Sequence, residues 1–143
     1  MEVTFLEASN GLRLSKNYSS EGSRPYPNVK HVTSHKQTIS LDNDGLVKLE
    51  SLIRSHGDKG HCLLKGPLKR ALKDESRAGK CDRVAYSNLL VLDVDGLELP
   101  GYVDLNKVNS TDIQRLTAQV LNELPEPFND VSYIAQASSS LGL

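Results

Sequence analysis

The stretch SNLLVLDVDGLELPG, residues 87–101, sets four consecutive aliphatic residues, Leu89, Leu90, Val91 and Leu92, before two carboxylates one position apart, Asp93 and Asp95. An uninterrupted apolar run of this kind is how a strand buried on both faces reads. Period two along such a strand puts Asp93 and Asp95 on one face and Val94 on the other. Carboxylates placed side by side repel, and one keeps its proton unless a cation neutralises the pair. A hard divalent ion such as Mg²⁺ or Mn²⁺ does this with oxygen ligands and brings phosphate with it. Gly96 then lets a bulky ligand approach the backbone. The plainer alternative makes Asp95-Gly96 a turn and Asp93 its cap. D-x-D alone does not decide between the two, whereas D-x-D-G after four aliphatic residues favours metal.

Working outward, VTFLEASNGLRLSKNY (residues 3–18) reads as an N-terminal β-hairpin, because Asn10-Gly11 suits the two positive-φ positions of a type I′ turn. Residues 19–37, rich in Ser and Gly and containing Pro25 and Pro27, read as a loop. Asp42 or Asp44 can cap a helix with Leu46, Leu49, Leu52 and Ile53 on one side and Gly57 as its stop. HCLLKG (61–66) is a short buried strand ended by Gly66-Pro67. Beyond the Asp-bearing strand, Thr111 and Gln114 fit a capping box for a second helix lined by Ile113, Leu116, Val120, Leu121 and Leu124, and Pro125 ends it. A final strand, VSYIAQAS (131–138), runs into a Ser-rich turn, Ser138, Ser139 and Ser140. A strand–helix–strand unit of this length favours parallel, right-handed neighbours, which sets the Ser turn beside Asp93 and Asp95 at one sheet edge. The order of elements predicts one α/β domain spanning residues 1–143, with a mixed sheet and flanking helices.

Composition narrows the chemistry. An aromatic share of 5% with no Trp argues against an aromatic cage or a carbohydrate-stacking module. Cys62 and Cys81 form no CxxC pattern, which suits a reduced cytoplasmic protein, and no apolar run has membrane-spanning length. Residues 65–83 carry seven basic and three acidic side chains on a chain whose net charge is −1. A basic segment on an otherwise acidic chain invites a phosphate-bearing partner, although composition alone favours a solvated loop or helix face. His31 and His35 are spaced like helical ligands but sit in a loop-like context. His56, His61, Cys62 and Cys81 can be assembled into a zinc site on paper, yet their spacing matches no known pattern, and Cys62 reads more simply as a buried strand neighbour.

Two families use an aliphatic strand ending in D-x-D. VLDVDGLEL (91–99) resembles the first motif of haloacid-dehalogenase-like phosphohydrolases, in which the first Asp is a nucleophile toward phosphate; here Leu97 stands where that family has Thr, and 92 residues precede the first Asp. The closer resemblance is to the archaeo-eukaryotic primase superfamily, including the primase-polymerases of phages and plasmids. VLDVDG is similar to their first motif, and YIAQASSSLGL (133–143) looks like the start of their second, a strand followed by a Ser-rich turn with Gly. LLKGPLKRALKDESRAGK (63–80) is similar to the basic stretch before the first motif in phage members, and FLEASNGLRLSK (5–16) resembles their opening hairpin.

The resemblance implies the N-terminal portion of a primase-polymerase catalytic domain, since the second motif's His and the third motif's Asp would fall beyond Leu143. It implies nucleotidyl transfer with two divalent ions, Mg²⁺ or Mn²⁺, held by Asp93 and Asp95. Ser138, Ser139 and Ser140 would meet the triphosphate, and Lys65, Arg70 and Arg77 template or phosphate. Single-stranded DNA, nucleoside triphosphates and a replicative helicase are the implied partners, and the host cytoplasm the place. A non-catalytic nucleic-acid-binding module of the same fold is the remaining alternative.

Overall fold

The computed structural model describes residues 1–15, 17–19, 22–24, 27–94, 101, 103, 107–128 and 130–136. The strand that organises it is β1 (Glu2–Ala8), whose alternate residues are buried in both directions: Val3 and Phe5 on one face, Thr4, Leu6 and Ala8 on the other. A strand covered on both faces needs partners on both edges. They come from β4 (Val32–Thr38) and β5 (Cys62–Leu63), both antiparallel to β1, in the order β4-β1-β5. The remaining strands, β2 (Asn17–Ser19) and β3 (Gly22–Arg24), pair with each other. Two helices, α1 (Asn43–Asp58) and α2 (Ser110–Glu123), complete a mixed α/β chain.

The chain divides into two units, Met1–Leu92 and Asp93–Leu143. In the first, Leu6, Ala8, Leu14, Val32 and Leu72 form a core cluster, joined by Val29, Cys62, Leu64 and Leu68. The basic stretch therefore contributes to packing. Leu72 is buried, Val32 and Glu75 exchange backbone hydrogen bonds in both directions, and Leu72 N–H donates to Ser34 Oγ at 2.8 Å. These contacts cover part of the outer edge of β4, which would otherwise offer unpaired backbone groups.

Helix α1 starts where the sequence suggests. Asp42 is its N-cap, accepting from Gly45 N–H at 2.8 Å and from Ser40 Oγ at 2.6 Å. The Ser40 bond first, then the Gly45 bond, holds the Asp42 carboxyl below the usual carboxylate range. A carboxylate with a lowered folded pKa stabilises the fold above its unfolded pKa and loses that contribution as pH falls through the folded one. Acid should therefore lower the melting temperature of the native chain more than that of Asp42→Asn, and equal acid slopes in thermal scans would contradict the cap.

Gly45 lies in the first turn of α1, where a Cβ would come within 2.1 Å of the Ser40 carbonyl oxygen. Helix propensity alone favours alanine there by about 1 kcal/mol. The backbone clash reverses the sign, so Gly45→Ala is expected to destabilise by about 1–3 kcal/mol in urea unfolding. At the far end of α1, Arg13 donates to the Gly57 and Asp58 carbonyls, each at 2.8 Å, adding at Gly57 to the bond its oxygen accepts from Gly60 N–H.

Helix α2 carries a capping box two residues earlier than the Thr111–Gln114 pairing. Asn109 Oδ1 accepts from Thr111 and Asp112 N–H, and Asp112 returns a bond to Asn109 N–H. An amide side chain does this as well as a hydroxyl does. Leu116 is buried on this helix, and the helix stops before Pro125.

Three sequence expectations give way. A turn forms over Ala8–Gly11, closed by Gly11 N–H to Ala8 O at 3.0 Å, but only Gly11 takes a positive φ (74°), so it is not the type I′ hairpin turn, and the chain leaving it does not return along β1. It feeds Leu14 into the core, and Leu14 N–H donates to Gly60 O at 2.7 Å. Residues 32–37, read as loop, belong to the strand that pairs with β1 in place of that return, so the sheet among the described residues is antiparallel rather than mixed. Residues 87–94 and 131–136 contain no strand, and Leu90 and Leu92 are 63% and 50% exposed. A strand buried on both faces requires a paired neighbour and two covering layers. Among the described strands the three-stranded sheet ends at β4, whose outer edge is partly covered by residues 72–75, and at β5, which is two residues long.

Candidate functional site

The alternation that buries Phe5 sends Glu7 to the same face of β1. The β1–β4 register sets His35 opposite Phe5 on that face. Because Phe5 also pairs with Leu63 of β5, His61, two positions earlier, reaches the face beside Glu7. Helix α1 covers it with His56, whose ring stacks on Phe5 with centroids 4.0 Å apart and planes within 2°.

The polar atoms of this group converge. His35 Nε2 lies 2.7 Å from Glu7 Oε2, and His61 Nε2 lies 3.9 Å from the same oxygen. The ligand-capable atoms of Glu7, His35 and His61 all fall within 4.8 Å of one another. Behind them, His56 Nδ1 and His61 Nδ1 are 2.8 Å apart. That contact holds one proton: one ring donates and the other accepts, so at least one of the two imidazoles is neutral. Burial pushes the His56 pKa below the usual imidazole value, and the neighbouring His61, His35 and Lys59 push the same way. Burial also lowers His61, where Glu7 opposes and His35 and Lys59 assist. A neutral imidazole keeps the nitrogen lone pair that metal coordination needs. The side chain of His61 is 10% exposed and those of His35 and Glu7 are 35% and 45% exposed, so the cluster opens to solvent on one side.

The residues singled out from sequence are placed differently. Asp93 is an exposed residue outside any strand and opens the second unit; Asp95 and Ser138, Ser139 and Ser140 lie outside the described residues. The oxygen donors of an Asp pair suit a hard divalent ion. Leu89, at the head of the aliphatic run, lines a cleft of about 280 Å³ with Val3, Leu64, Pro67, Leu68 and Tyr86.

Among the basic candidates, Lys65 is exposed next to β5. The Arg70 guanidinium forms a two-pronged pair with the Glu75 carboxylate, and Arg77 points at Cys81 Sγ, 3.8 Å away. The Arg70 pairing holds Glu75 below the usual carboxylate range. Arg70 thus has a structural partner inside the segment that pins β4.

In the sequence, His35 groups with His31 and His56 with His61, and no local pattern joins them to Glu7. The missing link was the pairing of β1 with both β4 and β5, which brings residues far apart in sequence onto one face. Period-two spacing of Phe5 with Glu7, and of His61 with Leu63, was the available local signal.

No protein-family model, curated protein or solved structure significantly matches this chain.

Proposed function

We propose that the chain carries the first metal motif of a primase-polymerase related to the archaeo-eukaryotic primase superfamily and serves metal-dependent nucleotidyl transfer on a single-stranded DNA template. The observation that carries this reading is the sequence Leu89-Leu90-Val91-Leu92-Asp93-Val94-Asp95-Gly96, followed after helix α2 by the Ser-rich stretch at 138–140. Asp93 and Asp95 would hold Mg²⁺ or Mn²⁺. When bound there, such ions polarise the triphosphate and offset the charge that develops on attacking and leaving oxygens. The chain's own contribution is to supply oxygen ligands, to meet the triphosphate with the hydroxyls and backbone N–H groups of Ser138–Ser140, and to attract nucleic acid through the positive stretch at 65–83. Catalysis on this scheme requires ligands in addition to the two aspartates.

The experiment is primer synthesis from nucleoside triphosphates on single-stranded DNA, with Mg²⁺ or Mn²⁺ supplied. The expected result is a product whose formation requires the divalent ion. Template binding that falls steeply with salt but never yields product would favour a binding module. A covalent aspartyl-phosphate on Asp93 would instead identify a phosphohydrolase.

A further inference from the structure

We propose that Glu7, His35 and His61 form a binding site for a single Zn²⁺ ion, with a fourth position open to water. The site is separate from Asp93 and Asp95 and does not depend on the nucleotidyl-transfer reading.

The donor set is the first reason. Two imidazole nitrogens and one carboxylate oxygen suit a borderline ion such as Zn²⁺, whereas Mg²⁺ prefers oxygen donors. Geometry is the second. Donors about 2.0–2.2 Å from a tetrahedral zinc lie roughly 3.3–3.6 Å from one another. The separations of 2.7 Å and 3.9 Å from Glu7 Oε2 to His35 Nε2 and His61 Nε2 straddle that range, so small side-chain rotations bring all three into register. In the metal-free state a proton sits between His35 Nε2 and Glu7 Oε2; zinc takes its place, and the proton moves to Nδ1 of the same ring or to solvent.

The third reason is the support behind His61. A histidine that binds metal through Nε2 usually donates its Nδ1–H to a fixed acceptor, which sets both tautomer and ring orientation. His56 Nδ1 is in position to accept at 2.8 Å, and its ring is clamped by stacking on Phe5. His56 is therefore a positioning residue. Glu7 and His35 stand on paired strands rather than on loops, which limits their drift. Three protein ligands with one side open to solvent match the arrangement in which zinc keeps an exchangeable water.

The test is titration of the full chain with Zn²⁺ against a chromophoric chelator, paired with Co²⁺ absorption spectra. One equivalent of zinc should bind, and Co²⁺ should show the intense visible bands of four- or five-fold coordination. Glu7→Gln and His35→Gln should each weaken binding by at least about 100-fold, and His56→Phe, which keeps an aromatic ring against Phe5, by about 10–100-fold with an altered Co²⁺ spectrum. Asp93→Asn with Asp95→Asn should leave zinc affinity unchanged. Because a ligand substitution can disturb the fold, imidazole nitrogen NMR of the unsubstituted chain provides a second readout: zinc should shift His35 and His61 and spare His31. Absence of one-equivalent binding, wild-type affinity in Glu7→Gln and His35→Gln, or shifts centred on His31 would overturn the site.

Discussion

Phe5→Ala is expected to lower the stability of the Met1–Leu92 unit by about 3–5 kcal/mol, the usual cost of removing a fully buried aromatic ring. Phe5 is 1% exposed, lies on the central strand and has paired neighbours in both flanking strands. Its removal opens a cavity that neither edge of the sheet can collapse to fill, and it releases the ring of His56 as well. Domain stabilities are about 5–15 kcal/mol, so this single change should consume a large part of the total. Urea unfolding followed by far-ultraviolet circular dichroism gives the number. Leu90→Ala provides the contrast. Hydropathy alone ranks Leu90 among the most deeply buried residues, but at 63% exposure its loss should change stability by no more than about 0.5 kcal/mol. If Leu90→Ala costs as much as Phe5→Ala, the apolar run at 89–92 is a core strand and the arrangement described here is incorrect.

Asp93→Asn combined with Asp95→Asn should reduce primer synthesis by on the order of 10³-fold or more, equivalent to about 4 kcal/mol of lost transition-state stabilisation. Asparagine keeps the shape and removes the charge, so a fall in rate reports on the ability to hold a divalent cation. Asp93→Asn alone should unfold at the wild-type urea concentration, because Asp93 is exposed and is not a member of the core cluster. Raising Mn²⁺ should rescue part of the loss if residual ligands remain. Full activity in the double variant would remove these carboxylates from the reaction. A loss of activity matched by a loss of fold would give them a structural role instead.

Helical elements were legible in the sequence because their signals are local. Asp42, the apolar residues of α1 and the stop before Pro125 all act within a turn or two of the chain. The sheet was less so. β4 reads VTSHKQT, half polar, and it follows a stretch broken by Pro25 and Pro27, so nothing within it announces a strand. Its identity comes from β1, which needs an edge partner. The Asn10-Gly11 turn misled for the same reason: it specifies a reversal without specifying what the returning chain pairs with. In the opposite direction, Leu89–Leu92 has strand composition and lacks, among the described residues, the neighbours that would cover it. The candidate metal group was invisible because its members are contributed by two strands and by the residue just before a third, with the supporting His56 on a helix, and only strand pairing puts them within reach of one another.

The central position of β1 has a consequence for how the protein is made. Glu2 pairs with Thr38, and Phe5 with both His35 and Leu63, so β1 leaves the ribosome before either of its partners and is fully paired only when the second has followed. At about 5–20 residues per second, Val3, Phe5 and Leu6 wait on the order of seconds for partners that have not yet been translated. During that interval the nascent chain presents an apolar, unpaired strand, the kind of segment that chaperones bind and that aggregates when they do not. Closing the long loops between β1 and its partners before any pairing energy is returned makes the folding step slow as well. Yield in the cell should then depend more on synthesis rate, temperature and chaperone supply than on the stability of the finished fold.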